Sequence, residues 1–192
     1  MARILLFHHA QGLTAGVREW AATLEAAGHT VHVPDLYEGN IFETLDEGIY
    51  YAEQTGFGTV IARGIAAADG LPDDLVYMGT SLGVMPAQQL TQTRPGARAA
   101  VLLESCAPPD AFGAPWPEGV PVQIHGMDAD PFFAGEGDID AARALVASIP
   151  HGELFVYPGD QHLFTDSSLP SHDEAARALV VDRVLQFLSH LP

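Results

Sequence analysis

Short, uninterrupted apolar runs alternate along this chain with longer stretches whose apolar residues recur every three or four positions. A short run without polar alternation is buried on both faces, and an amphipathic stretch between two such runs has to cover the sheet they build. That alternation restricts the chain to successive βαβ units: a three-layer α/β architecture with a mainly parallel sheet and helices on both faces. The runs predict strands over residues 3–7, 30–33, 75–78, 99–103, 122–125 and 153–157.

Helices are expected between them. The first carries Val17, Trp20, Ala21 and Leu24 on one face and stops at Gly28, a residue suited to the left-handed position beyond a helix end. Others follow near 45–54, 59–68, 82–93 and 138–149. The last opens with Ser171-His172-Asp173-Glu174, which has capping-box spacing, and aligns Val180, Val184, Phe187, Leu188 and Leu191. Residues 107–117 are too rich in proline for a regular element and are expected to wall a pocket.

With 192 residues, no repeats and no linker, the chain reads as one domain spanning 1–192. It carries 25 acidic residues against eight arginines and no lysine, a net charge of −17. Such a surface argues against nucleic acid and anionic membranes as partners, and against anionic substrates. Cys106 is the only cysteine, so no disulfide forms within the chain. The apolar run 4–7 is too short for a signal peptide's core, and no stretch approaches the roughly 20 apolar residues of a membrane span, so a cytoplasmic protein is expected. Whether it forms a homo-oligomer stays open.

Gly79-Thr80-Ser81-Leu82-Gly83 matches G-x-S-x-G and falls between a predicted strand and a predicted helix, where the motif makes chemical sense. A serine on a sharp strand-to-helix turn projects from the carboxyl edge of the sheet, and the flanking glycines leave room for that turn. A serine needs a base, and His162 lies in the loop beyond the last strand. The base needs an acid, and the loop after residue 125 offers Asp130, preferred because Pro131 and two phenylalanines follow it, with Asp128 as the alternative. The order serine, acid, histidine is that of the α/β-hydrolase fold.

Such a triad forms an acyl-enzyme and needs two oxyanion donors, expected from the N–H groups of Leu82 and Ala10. His8 and His9 point opposite ways on extended backbone and have no carboxylate at ligand spacing, so no metal site is expected. The first strand's exit lacks G-x-G-x-x-G and no Walker lysine exists, which removes the nucleotide-binding alternatives. A non-catalytic binding protein of the same fold is the competing reading.

Four stretches, 33–37, 79–83, 126–133 and 157–164, resemble the dienelactone hydrolase family over nearly the whole chain. The resemblance implies a cofactor-free hydrolase of small esters or lactones with Ser81, Asp130 and His162 as its triad. It also marks departures. The family's namesakes use cysteine where this chain has Ser81, and carry a glutamate where His9 stands, which places His9 among the residues expected at the substrate. They hold a substrate carboxylate with arginines, one of them shortly after the catalytic histidine, where this chain has Asp166. A neutral, fairly apolar substrate is therefore expected, in a pocket lined by Tyr37, Trp116, Phe132 and Phe133.

Overall fold

The structure, a computed structural model, describes residues 1–191. Six strands form one all-parallel sheet: β1 (Arg3–Phe7), β2 (Thr30–His32), β3 (Leu75–Thr80), β4 (Ala99–Leu103), β5 (Val122–Met127) and β6 (Gly152–Tyr157), in the order β2-β1-β3-β4-β5-β6. Successive strand residues feed two separate cores, as the pleat requires. Leu5, Phe7, Tyr77, Ala100, Leu102 and Ile124 face one side; Ile4, Leu6, Val76, Met78, Val101 and Leu103 face the other.

The second side is covered by α1 (Ala15–Ala26) and α6 (Glu174–Ser189), which bury Val17, Trp20, Leu24, Val180, Val184 and Leu188. The first is covered chiefly by α3 (Phe57–Ala66), α4 (Val84–Thr93) and α5 (Asp138–Ser148), with α2 (Leu45–Thr55) contributing Ala52. Each large side chain fully withdrawn from water contributes about 1.5–3 kcal/mol, so two such layers hold the sheet without any disulfide.

Helix ends follow local chemistry. Thr14 caps α1 by accepting the Val17 N–H, and Gly28, at φ 88°, closes its far end as expected. Two expectations at helix starts are corrected. The final helix begins at Glu174 with Asp173 as its cap, while the Ser171 hydroxyl turns away to the Leu163 carbonyl, so the capping-box spacing from Ser171 goes unused. The box forms instead at Thr44 and Glu47, on α2. The helix expected from Leu82 starts as a 3-10 turn over Ser81–Gly83 and becomes α-helical only at Val84, because its first turn is bent by the strand exit. Among the described residues, no helix is long and apolar enough to cross a membrane.

Chain order along the sheet reverses between β1 and β3, which opens a crevice at their carboxyl ends, the general ligand position in open α/β sheets. Behind that edge the sheet buries imidazoles. His125 in β5 accepts the Tyr157 hydroxyl at Nδ1 (2.9 Å) and donates from Nε2 to the Gln123 side chain (2.9 Å). His8 accepts the Leu36 N–H at Nε2 (2.9 Å) and donates from Nδ1 to the His9 carbonyl (2.8 Å). Both rings are satisfied as neutral tautomers, and burial lowers their pKa values to about 3 and about 4.

Unfolded histidine takes up its proton near 6.5 and these folded rings do not, so the stability they confer is complete above that value and is lost as pH falls toward 4. Replacing His125→Gln should remove part of this loss. The stability difference between wild type and variant, measured by urea unfolding, is expected to shrink by on the order of 3 kcal/mol from pH 7 to pH 4. A pH-independent difference would refute the assignment.

Candidate active site

Ser81 follows β3 directly and sits in the left-handed region, at φ 51°. A non-glycine residue there costs of order 1–3 kcal/mol and persists only where its surroundings dictate it. They do so here by crowding. A Cβ on Gly79 would lie 2.1 Å from the Gly83 carbonyl oxygen, and one on Gly83 would lie 2.4 Å from the Phe7 carbonyl oxygen. Only glycine at both positions lets the turn after β3 cross the end of β1.

The Ser81 hydroxyl lies 2.8 Å from His162 Nε2, and His162 Nδ1 lies 2.8 Å from Asp130 Oδ2. A carboxylate can only accept, so Nδ1 carries the ring proton and Nε2 is left to accept from serine. Asp130 is fully buried, and its other oxygen accepts the N–H groups of Phe132 (2.8 Å) and Phe133 (3.3 Å). The Phe132 ring packs against the imidazole at 4.5 Å between centroids. Asp128 points elsewhere and accepts the Gly159 N–H. Asp160 pairs with the Gln161 side chain. His29, His32, His151, His172 and His190 do not reach the cavity at Ser81.

Ala10, the expected second oxyanion donor, lies with Leu82, Ser81 and His162 on a cavity of about 280 Å³, bounded further by Leu45, Ile49, Phe57, Phe132 and Glu136. The loop carrying Ala10 is fixed from both sides. His9 accepts the Gln11 N–H at Nδ1 and donates from Nε2 to Asp166 (2.8 Å). Burial pushes the Asp166 carboxyl up, but hydrogen bonds from His9, Ser168 and Thr14 outweigh it and hold it at about 2. Across the loop, a Cβ on Gly48 of α2 would lie 1.9 Å from the Ala10 carbonyl oxygen. The sequence offered a hint at Gly48, an isolated glycine inside a helical pattern, and none for the His9–Asp166 pair.

Four expected substrate contacts are corrected. His9 is fully buried on Asp166 and does not line the cavity at Ser81. Tyr37 is buried against His8, Phe42 and Tyr51, with its hydroxyl donating to the Gly48 carbonyl. Phe133 belongs to the core, filling the space left by Gly126. Trp116 donates to the Val120 carbonyl and, with the proline-rich stretch, walls a separate cleft of about 570 Å³. Phe132 alone of the four aromatics lines the cavity. Sequence alone does not separate them, because an aromatic that fills a core and one that lines a pocket look alike in the chain. Cys106 is buried, and that burial, with Asp138 close by, pushes its thiol up to about 12, so it remains protonated at neutral pH.

Residues 1–191 match the dienelactone hydrolase family. The chain belongs to that family. Solved structures with the same fold include a dienelactone hydrolase from Anabaena variabilis, 19% identical with a TM-score of 0.71, the match covering 100% of this chain and 87% of that one. A dienelactone hydrolase-like promiscuous phosphotriesterase from metagenomic libraries is 17% identical with a TM-score of 0.72, again covering 100% and 87%. Esterase 2 of Thermogutta terrifontis, phosphonylated by cyclosarin, is 16% identical with a TM-score of 0.69, covering 98% and 82%. No curated protein sequence matches the chain.

In this member of the dienelactone hydrolase family, the contact between α2 and the Ala10 loop predicts opposite outcomes for two glycines. Gly48→Ala should lower stability by about 1–3 kcal/mol through overpacking. Gly58→Ala, also helical but with open space around the added methyl, should raise it by about 0.5–1 kcal/mol. Denaturant unfolding of the two variants checks this, and equal effects would refute it.

Proposed function

We propose that the protein hydrolyses small, neutral carboxylic esters or lactones through an acyl-enzyme on Ser81. The observation that carries this reading is the continuous hydrogen-bonded chain from Ser81 through His162 to buried Asp130, opening onto a cavity. His162 takes the serine proton as Oγ attacks the carbonyl carbon, and Asp130 holds the ring and stabilises the imidazolium. The N–H groups of Leu82 and Ala10 receive the developing oxyanion, Leu82 with the added field of the turn that opens α4. His162 then protonates the leaving alcohol and activates a water that releases the acid. No metal or cofactor is needed for these steps.

Neutrality of the substrate rests on charge. No arginine borders the cavity, Glu136 stands at its rim, and the chain carries −17 overall. An anionic acyl group would meet repulsion and no counter-charge. The walls contributed by Leu45, Ile49, Phe57 and Phe132 suit a modest apolar acyl or alcohol part. The related esterase phosphonylated by cyclosarin supports organophosphorus probes as reporters of the nucleophile.

A fluorophosphonate probe and p-nitrophenyl acetate test the reading together. Wild type should label and turn over, and Ser81→Ala should do neither. Asp130→Asn should lower kcat by on the order of 10⁴-fold while leaving the fold intact, and Asp128→Asn should change it little. Equal labelling of wild type and Ser81→Ala would overturn the proposal, and a larger loss for Asp128→Asn would overturn the acid assignment.

A further inference from the structure

Glu104 is the first residue beyond β4 and is completely buried. Its backbone is left-handed, at φ 62°. Among the described residues, four non-glycine residues have positive φ, and three of them, Ser81, Glu104 and Leu163, lie at or beyond the carboxyl ends of β3, β4 and β6, around the site. The Glu104 N–H donates to the His125 carbonyl (2.7 Å), which turns the side chain beneath the loop that follows β6. There Oε1 accepts the Thr165 N–H (2.9 Å), three residues after His162, and Oε2 has no hydrogen-bond partner among the described residues. A buried carboxyl with one bare oxygen is a costly feature. The steps from Ser81 to Asp130 make no use of it.

We propose that Glu104 is a positioning residue of this site: its buried carboxyl, tied to the backbone of the His162 loop, holds that loop in place and stabilises the imidazolium form of His162. The inference rests on the hydrolase reading for its catalytic consequence.

The charges around the carboxyl support this role. Burial raises its pKa to about 7, His162 and the hydrogen bond from the Thr165 N–H pull it down, and Asp130 pushes it up. The other ionisable groups nearby are engaged elsewhere. Arg177 of α6 donates to the Thr165 carbonyl, Asp138 of α5 accepts from Ser105 and Cys106, Asp166 holds His9, and His125 is neutral between Gln123 and Tyr157. When His162 receives the serine proton, Glu104 is therefore a second acidic group whose negative form that new charge favours.

The test is an NMR titration of the His162 ring in wild type and Glu104→Gln, with pH profiles of ester hydrolysis beside it. Glutamine keeps the shape and the bond to the Thr165 N–H but removes the negative form. Two coupled steps are expected for the His162 ring of wild type, one of them following the Glu104 carboxyl. In Glu104→Gln a single step is expected, with its midpoint lower by about 0.5–1 pH unit, because a negative neighbour raises a histidine's pKa and its removal lowers it. The acidic limb of kcat/KM should shift down by the same interval, and kcat should fall about tenfold with KM little changed. A merely structural glutamate would alter the melting temperature without moving the ring's midpoint.

An unchanged midpoint in folded Glu104→Gln overturns the proposal. So does a single-step wild-type titration, which needs no variant. Loss of the hydrolase reading shows up separately, as a wild type that neither labels with fluorophosphonate nor turns over ester.

Discussion

Everything at the carboxyl edge depends on how closely the turn after β3 passes the end of β1. With the Gly83 Cβ position only 2.4 Å from the Phe7 carbonyl oxygen and that of Gly79 only 2.1 Å from Gly83, no side chain fits between the two backbones. That contact fixes Ser81 in its left-handed conformation and delivers the amide of Leu82 to the same cavity as Ala10. It also explains why the following helix opens as a 3-10 turn: the chain must leave the strand, turn back over its own end and begin a helix within three residues.

A second set of constraints is polar. The loop after β1 sends Leu13 into the core, but His8, His9 and Gln11 are buried as well. Buried polar groups are tolerable only when paired, and here each one stitches the loop to a different segment. His8 ties it to Leu36, Gln11 to the carbonyls of Phe42 and Glu43, and His9 to Asp166. Asp166 in turn reaches Thr14 at the start of α1, and Gly16 leaves the room it occupies: a Cβ there would lie 1.8 Å from Asp166 Oδ1. The rigidity of the Ala10 amide thus comes from hydrogen bonds linking three loops, where the rest of the fold relies on apolar packing.

The architecture was legible because it rests on periodicity, which is local. Short two-sided apolar runs and the faces of Val17, Trp20 and Leu24 or of Val180 and Val184 can be read directly from the chain, and they matched the sheet and both helical layers. That Ser81, His162 and Asp130 come together was legible for a related reason: the serine motif, the acid loop and the histidine loop each follow a strand. What could not be read was the direction of a side chain in an irregular segment. Ser171 and Thr44 carry the same capping signature, and only tertiary context sent the Ser171 hydroxyl to the Leu163 carbonyl. Tyr37, Trp116 and Phe133 are aromatic residues near the site in sequence terms, and packing alone assigned each to the core or to another cleft. Nothing in the chain around Glu104 signals that its carboxyl is buried.

In the proposed reaction two carboxyl groups act on one imidazole, and their surroundings suit them to different tasks. Asp130 has both oxygens occupied, one by the His162 ring and the other by two backbone N–H groups, an arrangement that fixes the direction of its carboxyl. Glu104 has one N–H on one oxygen and nothing on the other, in a fully buried site, which places its proton equilibrium near neutrality. The first arrangement suits a group that must hold a ring in a single tautomer throughout turnover. The second suits a group whose charge answers to the state of that ring, with which it interacts electrostatically. Because the Glu104 carboxyl is anchored to the backbone of the histidine's own loop, its electrostatic effect and its positional effect act on the same side chain, and only a substitution that separates charge from shape can tell them apart.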